Sequence, residues 1–376
     1  MKERNNPWMK RLDKWIGCPI LFVLGIFHHN RKAIDLNTID TPKIAMIKTA
    51  AIGDTIVLSA MVDEIKRQYP RSSITVICSN NNLSMVKLIR GVDDIFVFEM
   101  KRPLQSFPAL RGLGHFDLLL DFGPWPRINA VISWMVHVDY KVGFKRAHMY
   151  RHYVYDKWVE HLDSVHEIDN YRNILRAANL KVAGFLPSFS PTAERPVDGA
   201  YVVFHQYPGG AMERQRMWQE GKWRELGRQM FRKYQMPILL SGSRDNAGAA
   251  EAMADELKAS GVNAVSIAGK YSLKEMIDIL AHAKLVVSVN TGIMHLASAV
   301  HVPLVALHGP TSEKRWGPLS ECSVVVKTGE PCQPCISLGF ESNCRNPMCM
   351  EHITVDMVIK EIDSHMSNST RVGSPL

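Results

Sequence analysis

Residues 287–318 read VSVNTGIMHLASAVHVPLVALHGPTSEKRWGP, and this stretch decides the fold. A β-branched apolar run ends at Asn290-Thr291-Gly292, a short helical segment follows, and a second apolar run, VPLVALH, closes on Gly309-Pro310-Thr311. That is strand, turn, helix, strand, turn: a parallel α/β layout with polar residues gathered where strands end and helices begin. In such sheets ligands bind beyond the C-terminal ends of the strands. A helix N-terminus there offers unpaired N–H groups and partial positive charge, a seat for phosphate. Thr291 and Gly292 sit at that junction, Gly292 allows close backbone approach, and His295 follows one helical turn later. The segment reads as the diphosphate-binding end of a nucleotide-handling domain.

The same alternation extends in both directions. From the N-terminal side, strands are predicted at Lys43–Lys48, Ser73–Cys78, Asp94–Phe98, Leu118–Asp121 and Lys141–Phe144, with helical periodicity over Gly53–Tyr69 and Arg127–His137. A second series runs through Ala200–His205, Ile238–Ser241, Val265–Ile267 and Leu285–Val289, with helices at Trp223–Tyr234, Glu251–Ala259 and Leu273–Ala281. The apolar strands lack alternation, as in parallel sheets covered on both faces. Between the series, Phe185–Gly199 carries three prolines and no periodicity, a linker signal. The organisation is therefore a segment 1–40, a Rossmann-like domain 41–185, a linker 186–199, a second Rossmann-like domain 200–352, and a helix with a frayed tail over 353–376. A chain of 376 residues, 46% hydrophobic and 22% charged, is long enough for two such cores.

The net charge of +8 is concentrated. Residues 1–32 hold seven Lys and Arg against Glu3 and Asp13, five of the eight excess charges. Between them lies the apolar run Trp15–Phe27, thirteen residues, where a bilayer span needs ~20. His28-His-Asn-Arg-Lys32 follows, with no small-residue cleavage site of a signal peptide. The segment reads as an interfacial anchor with Trp8 and Trp15 near lipid headgroups, or else as a helix packed on its domain. The target of the charge is a membrane surface rather than nucleic acid.

Two further loops carry chemistry. Lys48 opens Lys-Thr-Ala-Ala-Ile-Gly-Asp54 at a strand end. Asp54 is either the N-cap of a helix over Thr55–Gln68 or a carboxylate facing the ligand. The second domain opens with His205-Gln-Tyr-Pro-Gly209-Gly-Ala, then Arg214-Gln-Arg216-Met-Trp218: flexible backbone beside guanidinium groups suited to a diphosphate. Ser241-Gly242-Ser243 and Ala268-Gly269-Lys270 are further strand-to-helix turns. Four cysteines, Cys332, Cys335, Cys344 and Cys349, crowd the C-terminal region. They would serve as a structural zinc site, as free thiols or as a disulfide. No Asp-x-Asp triplet, Walker loop or dinucleotide fingerprint occurs, which sets aside kinases and dehydrogenases.

Together these residues resemble glycosyltransferase family 9, the ADP-heptose:lipopolysaccharide heptosyltransferases. The family pattern D-[ST]-G-x-x-H-x-A-x-A, P-x-[VL]-x-L-x-G-P-T and W-x-P is matched by Thr291, Gly292, His295, Ala297, Ala299, Pro303, Gly309-Pro310-Thr311, Trp316 and Pro318. Asn290 stands where the family has Asp, Arg216 stands where it has Lys, and Gln219 replaces a Pro. The resemblance implies the α/β GT-B fold, two Rossmann-like doubly wound domains facing a central cleft. It implies inverting, metal-independent transfer of a heptose from ADP-heptose to a lipid-linked saccharide, the lipopolysaccharide inner core, at the cytoplasmic face of the inner membrane. On the matching positions Asp54 becomes the general base. Lys48, Gly209, Arg216, Gly269, Asn290, Thr291, Gly292, His295 and Thr311 become donor-binding residues. The cysteine cluster also has family counterparts and carries no catalytic role. The departures at Asn290 and Arg216 leave room for a different nucleotide sugar or acceptor, or for a non-catalytic descendant that binds nucleotide or lipid.

Overall fold

A computed structural model describes residues 11, 13–210, 212–337, 342 and 344–369. The expected headgroup contact of Trp8 and most of the expected frayed tail lie outside them. The chain forms two compact units, Met1–Pro187 and Ser188–Leu376.

The first unit holds six strands: β1 (Lys43–Ile47), β2 (Ser73–Cys78), β3 (Asp94–Val97), β4 (His115–Asp121), β5 (His137–Lys145) and β6 (Lys157–Glu160). The second holds β7 (Val202–His205), β8 (Ile238–Ser241), β9 (Ala264–Ser266), β10 (Leu285–Val289), β11 (Leu304–Leu307) and β12 (Ser323–Val326). The sheets run β3-β2-β1-β4-β5-β6 and β12-β11-β10-β7-β8-β9, and their strand pairs are parallel. Read from the other edge, the second order is the first repeated six strands later. This is the doubly wound order, which reverses direction between β1 and β4 and again between β7 and β10. Each reversal opens a crevice at the strands' C-terminal ends, and the two ligand-facing loops expected from sequence fall at these two places.

Aliphatic composition explains the central strands. β1 is buried except for its first residue and β10 throughout, so both faces are covered and no polar alternation is needed. Elements that sequence periodicity did not reveal include β6, β12 and the helices Pro103–Arg111 and Glu167–Ala177. In the second unit Trp218 and Trp223 meet edge-on at 5.1 Å between ring centroids. The C-terminal helix Val355–Ser369 buries Val358 and Ile362 in the same core. Nothing helical or extended occurs between Ala177 and Val202. The proline-rich connection is nevertheless stitched to the second unit, with Phe189 N–H donating to Ala299 O at 3.0 Å and Thr192 N–H to Asp278 Oδ1 at 2.5 Å.

Candidate active site

In the first unit, the loop after β1 is held from several sides. Asn82 donates to Lys48 O at 2.8 Å and to Thr55 Oγ1 at 2.9 Å. Ser79 donates to Thr49 O at 2.7 Å, and Thr49 to Asn129 Oδ1 at 2.8 Å. The helix that follows begins at Ile52 with Ala51 as its N-cap, so Asp54 lies inside the first turn and its side chain does not cap the helix. The capping role left open by the sequence is thereby excluded. Lys48 Nζ donates to Asp54 Oδ1 at 2.8 Å, to Tyr171 Oη at 2.5 Å and to Phe122 O at 3.2 Å.

Those three bonds use all three ammonium protons, and Lys48 is only 2% exposed. The structure thus places Lys48 against Asp54, with its hydrogen bonds made inside the first unit. Among the described residues Asp54 Oδ2 accepts no hydrogen bond, and the side chain is 20% exposed. The arrangement fixes one carboxylate oxygen against a buried cation and leaves the other available. Chemically this is a carboxylate oriented to take a proton.

Tyr171 comes from the unforeseen helix Glu167–Ala177. Its signal was present as Ile168, Tyr171, Ile174 and Leu175 at helical spacing. Below it sits a network that sequence gave no means of finding. Asp121, at the end of β4, accepts from Arg151 at 2.5 Å and from Tyr155 at 2.5 Å through Oδ2. Its Oδ1 accepts from Gly123 N–H at 2.9 Å. These side chains are fully enclosed, so the pair acts as a brace for the Phe122–Gly123 turn, on which Lys48 also leans.

In the second unit, Asn290 leaves β10 and donates from Nδ2 to Thr311 Oγ1 at 2.8 Å. Asn290 O accepts from Arg216 at 3.0 Å, and the other arm of the same guanidinium donates to Gly209 O at 2.6 Å. The planar fork offers each loop its own nitrogen, which gives the Lys-to-Arg exchange a physical sense. Thr291 caps the helix Gly292–Ala299, its hydroxyl accepting from Ile293 N–H at 3.0 Å. The helix's first N–H groups have no intrahelical partner, an arrangement suited to an anion. His295 lies one turn on, largely buried. The structure thus brings together Gly209, Arg216, Asn290, Thr291, Gly292 and Thr311.

His308, fully buried, completes this end. Its Nδ1 lies 3.4 Å from Asn290 Nδ2, and burial pushes its pKa down to about 4. The ring is therefore neutral and accepts from the Asn290 amide. Gly269 lies in the turn after β9 with φ +70°, and a Cβ there would come within 2.7 Å of Arg244 Cα. Its role is to let the Ser243–Asn246 turn close against it.

The four cysteines are free thiols, Cys332 exposed, Cys335 and Cys344 partly so, Cys349 buried. Burial first, then the neighbouring Cys335, Cys332 and Cys344, raise the Cys349 thiol to about 11. They share a neighbourhood but do not form a preformed tetrahedral set. Among the described residues the ligand atoms that lie within 4.8 Å of one another are those of His115, Asp117 and Asp139, at the opposite strand ends of the first sheet. The structure thus does not gather Cys332, Cys335, Cys344 and Cys349 into a metal cage, because zinc–sulfur bonds of ~2.3 Å require tighter convergence.

A family model described as glycosyltransferase family 9 (heptosyltransferase) matches residues 116–344, which reaches into both units. The chain belongs to glycosyltransferase family 9. Among its relatives is lipopolysaccharide heptosyltransferase 2 of Salmonella typhimurium, 22% identical over 311 residues, covering 76% of this chain and 88% of the relative. The structure of E. coli ADP-heptose lps heptosyltransferase II superposes with a TM-score of 0.68 at 20% identity, covering 87% of this chain and 99% of that one. An E. coli heptosyltransferase solved with ADP gives a TM-score of 0.68 at 18% identity, with 86% and 99% covered. The fold of this family 9 glycosyltransferase is thus GT-B, two Rossmann-like units. Lys48 and Asp54 fall outside the matched span of the family model, so their assignment rests on the geometry above.

Proposed function

We propose that this family 9 glycosyltransferase moves a heptose from ADP-heptose to the inner core of lipopolysaccharide, with inversion and without a catalytic metal, at the cytoplasmic face of the inner membrane. The observation that carries the reading is the Lys48–Asp54 pair, with one carboxylate oxygen clamped at 2.8 Å and the other open. Asp54 Oδ2 takes the proton of an acceptor hydroxyl as that oxygen attacks the anomeric carbon. The bond from that carbon to the diphosphate breaks, ADP leaves with the electron pair, and the configuration inverts. Charge building on the departing diphosphate is met by Arg216 and the N-terminus of the Gly292–Ala299 helix. In support of the donor, relatives carry ADP-heptose and lipopolysaccharide in their names, and one is solved with ADP.

A second reading keeps the mechanism and changes the nucleotide sugar or acceptor. The observation in its favour is Asn290, whose amide engages Thr311 and His308 where the family has a carboxylate. Calorimetric titration with ADP-heptose beside UDP-, GDP- and other ADP-sugars separates the two. Preferential binding of ADP-heptose, with transfer abolished in Asp54→Ala, supports the first. Preference for another donor supports the second. Absence of any binding supports a non-catalytic descendant.

A further inference from the structure

The helix Gly17–Ile26, GCPILFVLGI, carries no charged residue, yet Leu21 is its only buried side chain. Leu21 packs with Ala130, Val154 and Tyr155. On the outer side Phe22, Ile26 and Phe27 are 60%, 63% and 67% exposed, and Trp15 just before the helix is 73% exposed. Apolar exposure of this density marks a contact surface.

The exposure is not loose attachment. Asp13 accepts from Arg127 N–H and from its guanidinium, both at 2.8 Å. Beyond the helix, Arg31 N–H donates to Asp156 Oδ1 at 2.8 Å. Gly25 lies so close that a Cβ would stand 2.8 Å from Tyr153 Cβ. The apolar face is thus held out by locks at both ends.

It also continues beyond the N-terminal segment. Phe22 meets Tyr153 edge-on at 6.5 Å, Tyr153 meets His152 at 4.5 Å, and His152 meets Trp158 at 5.8 Å. Trp158 is 39% exposed, with Lys145 Nζ 4.1 Å from its ring centroid. Exposed Arg11, Lys14, Lys32 and Lys157 lie in these same segments. Exposed Glu160 is paired with Lys145 at 3.5 Å.

We propose that the outer face of helix Gly17–Ile26 and the aromatic turn Tyr150–Trp158 form one rigid docking surface for an anionic phospholipid bilayer. This rests on the membrane-face part of the reading above and extends it to residues outside the N-terminal segment. Tyr and Trp beside lysines suit the headgroup level, where one end of each side chain is apolar and the other wet. No helix among the described residues is long and apolar enough to cross a membrane, so the segment lies in the interface. A second copy of the chain fits less well, because a two-fold contact would set this surface's cations against themselves.

The test is co-sedimentation of the full chain with phosphatidylcholine vesicles, with and without phosphatidylglycerol. The expected result is binding that requires phosphatidylglycerol and weakens with salt. Phe22→Ser and Trp158→Ser should each weaken it roughly tenfold or more, the scale of burying one aromatic side chain. Lys157→Ala, which leaves the packing untouched, should weaken it roughly fivefold. Unchanged thermal midpoints show that the variants fold. Wild-type affinity in both Trp158→Ser and Lys157→Ala, with loss in Phe22→Ser, overturns the composite surface and leaves the membrane-face reading standing. Equal binding to both vesicles overturns the anionic partner, and no binding to either overturns both ideas. A lipid-free dimer that Phe22→Ser dissolves assigns the face to a second copy and overturns the proposal.

Discussion

The two strand-order reversals are topological twins with opposite chemistry. At β1/β4 a buried ammonium bridges the crevice from Asp54 to the carbonyl of Phe122. At β7/β10 a guanidinium bridges it from the carbonyl of Asn290 to that of Gly209. One end is built around an ion pair whose carboxylate still has an open oxygen. The other is built from an amide, two hydroxyls and a neutral imidazole around a helix terminus. One fold, used twice, thus carries an ion pair with an open carboxylate oxygen at one reversal and a guanidinium fork beside a helix terminus at the other. The difference lies in a handful of side chains, and the strand order alone would not reveal it.

Removing the carboxylate of the first end should have the largest effect. Asp54→Asn is expected to lower the transfer rate about 10²- to 10⁴-fold while ADP affinity by calorimetry stays near wild type. It also strands Lys48, so thermal stability should fall, and Lys48→Met combined with Asp54→Asn should recover stability without recovering activity. Loss of ADP binding in Asp54→Asn would break the division of labour.

Protonating the imidazole of the second end comes next. His308 has its pKa pushed down to about 4 by burial, against ~6.5 in an unfolded chain. Above about pH 6.5 the ring is neutral in both states and its contribution is intact. As pH falls towards about 4 the unfolded chain takes up the proton first, so stability drops by up to roughly 3 kcal/mol. Urea midpoints measured across that window should show the loss, and His308→Gln should flatten it. His205, also pushed down to about 4 by burial, adds a parallel loss that His308→Gln leaves in place.

Arg216→Lys removes the two-loop fork but keeps the charge. ADP affinity should fall about tenfold, in the range of a lost hydrogen bond to a charged group, with the rate at saturating donor little changed. Asn290→Asp should have the smallest effect. It exchanges one donor to Thr311 for a carboxylate and should alter donor affinity by less than about tenfold, the scale of one hydrogen bond. It also gives His308 an anionic neighbour, which should shrink the acid loss. A rise in transfer well beyond that range would mean that the amide end is a weakened version of one built on a carboxylate.

What the sequence disclosed follows the range of the interactions. Strands such as Ser73–Cys78 and Leu285–Val289 were legible to the residue because burial on both faces demands continuous apolar runs. The Thr291 cap and the Gly309–Thr311 turn are local, and they too were legible. Tyr171 reaches Lys48 across 123 positions and Arg151 reaches Asp121 across 30, and no periodicity encodes such meetings. His308 stayed hidden because its surroundings, and hence its neutrality, come from the packed strands around it. Asp54 was legible as a helix cap or as a ligand-facing carboxylate. Only the start of the helix at Ile52, which leaves the side chain uninvolved in capping, decided between them.

The tie between Trp218 and the C-terminal segment bears on the order in which a nascent chain becomes competent. The indole N–H donates to Ile353 O at 2.9 Å, and Lys222 Nζ reaches the same carbonyl at 2.9 Å. The loop carrying Arg216 therefore lacks its support until residue 353 has left the ribosome. The partners that hold Lys48 and Asp54 all come from the first unit, which ends at Pro187. During synthesis, where N-terminal units fold first, the Lys48–Asp54 pair is in place while the Arg216 loop is still waiting for its prop. A chain arrested before Ile353 would hold a finished ion pair in the first unit and an unsupported Arg216 loop in the second.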